Sequence, residues 1–348
     1  MTAMAHIDVR VERRSARRSA RKEIEMSSDR FGERFERMVD NIGLVMKGKD
    51  DIVRLALVAM LAEGHVLFED MPGTGKTMLA RSIAETISAR SSRVQCTPDL
   101  LPADITGSTV LNRTTGDFVF REGPVFANVF LADELNRATP KTQSALLEAM
   151  AERRVTFDGV THPLPAPFFV LATMNPIELA GTFPLPEAQL DRFLFKLSVG
   201  YAERAAEVDV LRAHLKHDAI TDIKAVIDLA EVVEMSAWAA NVLVSDEILH
   251  YITDLVQATR SDPALQMGAS TRASIALMRA ARVMAASQGR DDVLPDDVKQ
   301  LVHAVLAHRL MLSPEAELRG ETVNDAVDRL LHRVKVPSGA RAGAAAGR

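Results

Sequence analysis

Between an apolar run, His65-Val66-Leu67-Phe68, and a helical stretch, Met78-Leu79-Ala80-Arg81-Ser82-Ile83, lies Glu69-Asp70-Met71-Pro72-Gly73-Thr74-Gly75-Lys76-Thr77. A strand, a glycine-bearing turn and a helix opening on Gly75-Lys76-Thr77 form the setting a phosphate-binding loop needs. Backbone N–H groups of the turn and of the helix start converge there and favour an anion. The cradle expected runs from Asp70 to Met78. Lys76 would reach the β- and γ-phosphates of a triphosphate, and the Thr77 hydroxyl would take a place on Mg²⁺. The usual pattern begins with glycine six residues before the lysine, where this chain has Asp70. A carboxylate so close to phosphate has to point away, which leaves it free to fix the turn.

Two further strings end in polar groups. Asn128-Val129-Phe130-Leu131-Ala132-Asp133-Glu134 reads as a buried strand with two carboxylates at its exit. Phe168-Phe169-Val170-Leu171-Ala172-Thr173-Met174-Asn175 reads as another, ending in an amide. Alone, such ends are ordinary solvated strand termini. Beside a phosphate loop, Asp133 would hold Mg²⁺, mainly through water, and Glu134 would polarise the attacking water. Cation, water-orienting group and phosphate cradle are what phosphoryl transfer requires, since its catalysis is largely positioning and charge stabilisation.

The elements that must position these groups are legible from periodicity. Phe31, Phe35, Met38, Val39 and Ile42 predict an amphipathic helix, and Ile52 to Met60 a second one closed by Gly64. The turn between them, Val45-Met46-Lys47-Gly48, is placed to touch an adenine ring or is a plain interhelical turn. Val94-Gln95-Cys96 is a short strand. Val110–Phe120 around Thr115-Gly116-Asp117 predicts a hairpin, and Val155–Thr161 around Asp158-Gly159 predicts a second. Both must project from an α/β core, which suits remodelling or threading better than small-molecule chemistry.

Arg192 stands just before a strand expected to end near Val199. It is either a surface ion pair or a group reaching a neighbouring subunit's γ-phosphate, a task its fixed charge and forked donors suit. From about Tyr201 the pattern is helical throughout, with Ser245 as an N-cap and Pro295 near a first turn. Arg272 opens a helix, where the macrodipole disfavours it, so contact with nucleotide phosphate is one reason for its presence.

The 348 residues suffice for two domains with a core each, expected at 29–200 (α/β) and 201–336 (all-α). Residues 1–28 and 337–348 read as disordered tails. Seven basic residues against one acid between Arg10 and Lys22 can meet nucleic acid or an anionic membrane. A solvated arm or an early start-codon extension is the simpler reading of them. A net charge of −5 and an aromatic content of 5% disfavour a dedicated nucleic-acid binder. The single cysteine, Cys96, permits no internal disulfide or thiolate cluster and fits a cytoplasmic setting. No apolar run approaches the roughly 18 residues of a membrane span.

The assembled motifs resemble the AAA+ ATPases, and within them the MoxR family. The resemblance is carried by Glu69–Thr77, Thr97–Gly107, Leu131–Ala138, Lys141–Met150, Ala172–Pro176 and Pro184–Phe193, and covers about residues 30–335. It implies a five-stranded parallel αβα core, one hairpin inserted in its second helix, another before the sensor strand, and a helical lid. It makes Asn175 the sensor-1 residue, Arg192 the arginine finger acting in trans, and Arg272 sensor 2, in cis or in trans. It further implies ATP and Mg²⁺ as ligands and a homo-oligomer, expected as a hexamer. Relatives of this kind act as chaperone-like motors that mature or activate protein complexes, often beside a partner with a von Willebrand factor A domain. The family tolerates an acid at position 70, whereas Lys47 and Lys49 replace the small or amide residues expected around Gly48. Competing readings are a magnesium-chelatase-like metal-insertion subunit, a nucleic-acid-dependent ATPase, and a nucleotide switch that barely hydrolyses. A small GTPase is disfavoured because no Asn-Lys-x-Asp motif occurs.

Overall fold

The computed structural model describes residues 26–71, 73–176, 181–215 and 219–337. The basic run Arg10–Lys22 lies outside them, as does Pro72 of the expected cradle. Helices α1 (Ser28–Gly43) and α2 (Asp50–Leu61) lead in. The apolar stripe of α1 is buried at Phe31, Phe35, Met38, Val39 and Ile42, and the Ser27 hydroxyl accepts from the Arg30 N–H at its start. Burying each such side chain contributes about 1.5–3 kcal/mol.

The core follows as β1 (Val66–Glu69), α3 (Lys76–Thr86), β2 (Ser91–Gln95), α4 (Pro102–Thr106), hairpin β3 (Gly107–Leu111) and β4 (Phe118–Glu122), then β5 (Val129–Asp133). After a 3-10 turn at Leu135–Arg137 come α5 (Pro140–Glu152), hairpin β6 (Arg154–Phe157) and β7 (Val160–Pro163), β8 (Phe169–Met174), α6 (Glu187–Leu190) and β9 (Phe195–Leu197). Five strands form one parallel sheet in the order β2-β5-β8-β1-β9. Its central strands are apolar runs because helices cover both faces. The first hairpin follows a single helical turn and then runs through a turn into β5, so no helix resumes after it.

The second hairpin is set by Asp158 and Gly159, both at positive φ as a two-residue hairpin turn demands. The hairpins pack on each other. Phe120 stacks on His162 with ring centres 4.0 Å apart and meets Phe157 at 5.9 Å. Their tips leave Phe118, Leu111 and Val160 exposed.

The rest is α7 (Arg204–His214), α8 (Leu229–Ala239), α9 (Asp246–Arg260), β10 (Leu265–Met267), α10 (Thr271–Ser287), α11 (Pro295–Leu306), β11 (Met311–Leu312), α12 (Pro314–Leu318) and α13 (Val323–Arg333). Helical periodicity missed the antiparallel pair β10–β11, whose strands are three and two residues long. Runs that short carry no alternation to read. Within the helical region a small cluster of Ala264, Leu312, Ala316 and Ala326 stands apart, but most of its apolar side chains join the core of the sheet. One apolar cluster runs without a break from α1 and α2 through Val66, Phe68 and Leu131 to Leu277, Val298 and Leu301. A smaller cluster fills the opposite sheet face.

Two buried histidines make acid stability predictable. His65 accepts the Val170 N–H at Nδ1 (3.1 Å) while its Nε2 faces the Met150 carbonyl (3.2 Å). Burial holds its pKa down at about 4, and burial followed by the charge of Arg309 pushes that of His308 well down too. Both side chains are thus neutral when folded and take up protons at ordinary pKa when unfolded. Their stabilising effect is complete above pH 6.5 and is lost as pH falls toward 4. For His65 alone the loss approaches about 3 kcal/mol. Denaturant titrations at pH 7.5, 6 and 5 should show the decline, and His65→Gln should make it shallower. Equal slopes in the two proteins would refute the assignment.

Candidate functional site

The strand order brings the carboxyl ends of β1, β8 and β5 side by side, with Glu69 in register with Met174 and Ala132 with Ala172. Loops leaving three distant chain segments therefore meet at one sheet edge, where α/β folds place their ligands. A cleft of about 450 Å³ opens there. Of the expected residues it brings together Asp70, Gly73, Thr74, Gly75, Lys76, Thr77, Met78, Asp133, Glu134 and Asn175. Met71 is not on its wall, although its carbonyl accepts from Lys76.

The loop's glycines are a backbone requirement. Gly73 and Gly75 have φ of +81° and +92°, a region side-chain-bearing residues rarely adopt. Gly75 is also the N-cap of α3, and no side chain caps that helix. By contrast α1, α5, α8, α9, α10 and α13 are each capped by a hydroxyl or carboxylate. The first N–H groups of α3 thus face the cleft with the positive end of the helix dipole behind them. Lys76 Nζ donates to the carbonyls of Met71 (2.8 Å) and Asp70 (3.2 Å) and to Thr74 Oγ1 (3.4 Å). Burial pushes the pKa of its ammonium down, against the opposing pull of Asp70, Asp133 and Glu134.

The Asp70 carboxylate faces away from the cradle. It accepts from Ser198 Oγ (2.7 Å), Val199 N (2.5 Å) and Gly200 N (3.1 Å). Lys49 donates to the carbonyls of Val199 (2.5 Å) and Tyr201 (2.8 Å). The acid that departs from the usual glycine and a lysine that departs from the family pattern thus clip the same stretch after β9. As a side chain, Asp70 belongs to that clip, and only its backbone belongs to the cradle.

Asp133 and Glu134 diverge because Glu134 takes a left-handed conformation, φ 55° and ψ 51°. For a non-glycine residue this costs about 1–3 kcal/mol and is typical of functional sites. The Glu134 N–H donates to Thr173 Oγ1 (2.8 Å), which in turn donates to Asp133 Oδ1 (2.6 Å). Arg93 on β2 donates to Asp133 Oδ2 from Nη2 (2.7 Å) and Nε (3.2 Å). Arg137 holds Glu134 Oε2 at 2.9 Å. Sequence reading missed Thr173, Arg93, Arg81 and Gln95 on this wall. Thr173 had a visible signal, a hydroxyl at the polar end of an apolar strand. Arg93 and Gln95 had only the alternation of a short edge strand.

Against the loop lies a second, largely apolar cleft of about 430 Å³, lined by Val45, Met46, Val210 and Leu211 and sharing Gly73, Thr74, Gly75 and Met78 with the first. The two together offer an apolar slot for a base and a cationic, N–H-rich slot for phosphates. Thr77 and Asp133 supply a hydroxyl and a carboxylate of the oxygen kind that Mg²⁺ takes. The residues present therefore fit a magnesium nucleotide.

Arg192 and Arg272 are not brought to this site. Both line a separate cleft of about 260 Å³ with Asp191, Arg153, Arg279 and Arg309. Arg192 Nη1 donates to the Leu147 carbonyl (3.1 Å), and Arg272 Nη1 lies 3.6 Å from Asp191 Oδ2. Arg272 is thus placed apart from Lys76, Asp133, Glu134 and Asn175 of its own chain.

Residues 65–195 match the family described as "ATPase family associated with various cellular activities", and residues 257–330 match its lid domain. The chain is 50% identical to the Bacillus subtilis protein YeaC over 86% of its own length and 94% of that protein. It is 40% identical to Chaperone MoxR1 of Mycobacterium tuberculosis over 87% of its length and 82% of that protein. A solved structure from Cytophaga hutchinsonii, provisionally described as an ATPase, superposes with a TM-score of 0.85 at 36% identity, covering 92% of this chain and 98% of that one. With its fold, its loop and these relatives in agreement, the chain belongs to the MoxR family of AAA+ ATPases.

Proposed function

We propose that this protein hydrolyses ATP with Mg²⁺ as a homo-oligomeric ring, a hexamer on family grounds, and uses the energy to remodel protein clients as complexes mature. The observation that carries the reading is the split between two surfaces. Lys76, Thr77, Asp133, Glu134 and Asn175 share one cleft, whereas Arg192 and Arg272 share another. A site whose arginines lie on a different face of the same chain is completed by a second copy.

In this mechanism the N–H groups of the loop and Lys76 hold the β- and γ-phosphates. The hydroxyl of Thr77 and the carboxylate of Asp133 would hold Mg²⁺, which when bound neutralises charge between those phosphates. Asp133 must then exchange its contact with Arg93. Glu134 orients the attacking water, and Asn175 hydrogen-bonds the water or the γ-phosphate. Arg192 of one subunit, with Arg272 beside it, meets charge developing on the nucleotide of the next.

The exposed tips of the paired hairpins support a protein as client, and we extend the family's partner, a von Willebrand factor A domain protein, to this chain. We place the protein in the cytoplasm. Among the described residues no helix is long and apolar enough to cross a membrane. Burial, with Asp133 and Glu134 nearby, pushes the Cys96 thiol up to about 12, so it is inert at neutral pH.

Purified protein should hydrolyse ATP in Mg²⁺, lose that activity in EDTA, and shift to a ring-sized species by light scattering when ATP is added. Lys76→Ala should abolish nucleotide binding. Failure of the native protein to bind adenine nucleotides would remove the proposal.

A further inference from the structure

Arg309, which follows α11 in the 3-10 turn Ala307–Arg309, is an unusual residue to bury. It is 5% exposed, and a guanidinium removed from water is tolerated only when its donors are satisfied. All its described partners but one lie on a single turn of the core. Nε donates to Asp191 Oδ1 (2.8 Å), Nη2 to the carbonyls of Phe193 (2.6 Å) and Asp191 (3.3 Å), and Nη1 to the Leu194 carbonyl (3.2 Å). The exception is the Val305 carbonyl on its own helix. These bonds bracket Arg192 in sequence, holding the backbone on both sides of it. His308 adds a contact from Nε2 to the Phe193 carbonyl at 3.1 Å.

The other oxygen of Asp191 faces the start of α10. Ser270 Oγ, the N-cap of that helix, donates to Asp191 Oδ2 at 3.1 Å, and Arg272 stands on the same oxygen. One carboxylate thus joins the lid's buried arginine, the turn that bears Arg192 and the helix end that bears Arg272.

We propose that Arg309 is the positioning residue for the trans-acting arginines, clamping the Asp191–Leu194 turn to the lid so that Arg192 and Arg272 are presented together. This rests on the reading of Arg192 as a group donated to a neighbouring subunit. The lid and the arginine surface then move as one unit, and a change in lid angle in one subunit is felt at the nucleotide of the next. An ion pair that merely fastened lid to core would need one carboxylate. It would not need three carbonyl contacts spread over both sides of one arginine.

Arg309→Lys keeps the charge but replaces a planar five-donor fork by a point charge with three donors. The full-length variant should bind ATP in its own cleft with affinity within about twofold of the native protein, because that cleft shares no residue with the clamp. Its kcat should fall about 10²-fold, the scale of loss when a reacting group is displaced by an ångström. Mixed with Glu134→Gln subunits, it should recover activity at interfaces where the second protein donates an intact Arg192 and Arg309. Arg192→Ala mixed in the same way is the reference.

Native-like turnover by Arg309→Lys, or no recovery on mixing when Arg192→Ala does recover, overturns the clamp and leaves the trans reading standing. If Arg192→Ala itself shows no recovery in assembled rings, the trans reading falls and takes the clamp with it. Should Arg309→Lys not fold, Asp191→Asn withdraws at constant volume the charge that draws Arg309, Ser270 and Arg272 to one side chain, with the same mixing outcomes expected and the same result fatal.

Discussion

Glu134→Gln should leave nucleotide binding intact while lowering ATP turnover by about 10²–10⁴-fold, the span associated with loss of a positioned general base. Glutamine keeps the volume and one acceptor oxygen, so the left-handed backbone at this position and the Thr173 bridge to Asp133 should persist. What is lost is the charge that polarises water. Nucleotide trapped on the purified protein, measured by filter binding beside a single-turnover assay, separates binding from chemistry. Unaltered hydrolysis would show that the water-polarising role lies elsewhere. The trapped protein is also the reagent for capturing clients, because it should hold nucleotide while turnover stops.

Arg192→Ala should cost still more, about 10³–10⁵-fold in kcat, the range seen when an arginine is withdrawn from a phosphoryl-transfer transition state. The expected loss is large because the charge on the transferred group is greatest where this residue would meet it. Binding of ATP by the variant should be close to native, since Arg192 lies outside the 450 Å³ cleft and donates to the Leu147 carbonyl of its own chain. The decisive measurement is a titration of Arg192→Ala subunits with Glu134→Gln subunits. Neither is active alone, yet a mixed interface joins a competent Glu134 to a competent Arg192. Activity should rise to a maximum at intermediate ratios. A flat titration with rings intact would end the assignment in trans.

Several departures from the usual motifs became intelligible only with side chains in place. Asp70 looked like a fault in a phosphate loop, and Lys49 like a fault in an adenine turn. Each reaches forward well over a hundred residues to the Ser198–Tyr201 stretch, a distance no local pattern encodes. The hairpins, in contrast, were legible at once, because Asp158-Gly159 in one and Gly116 in the other supply the positive φ that their turns take. The stacking of Phe120 on His162 that joins them was not legible, since the partners sit on separate hairpins.

Legible from the chain alone were the glycine-bearing loop before Lys76, the apolar strands ending in Asp133, Glu134 and Asn175, the projecting hairpins and the family. Each of these is a matter of local spacing or of strings long enough to be specific. Packing settles that Arg93 and Thr173 hold Asp133 and that Arg192 and Arg272 share a surface away from Lys76, Asp133 and Glu134. It alone showed the buried Arg309 binding that surface to the lid. The reason is physical. Backbone preference and hydrophobic period act over a few residues, whereas the pairing of charges depends on which strand ends and helix ends the packed sheet brings within 3–4 Å of one another, about the reach of a hydrogen bond or ion pair.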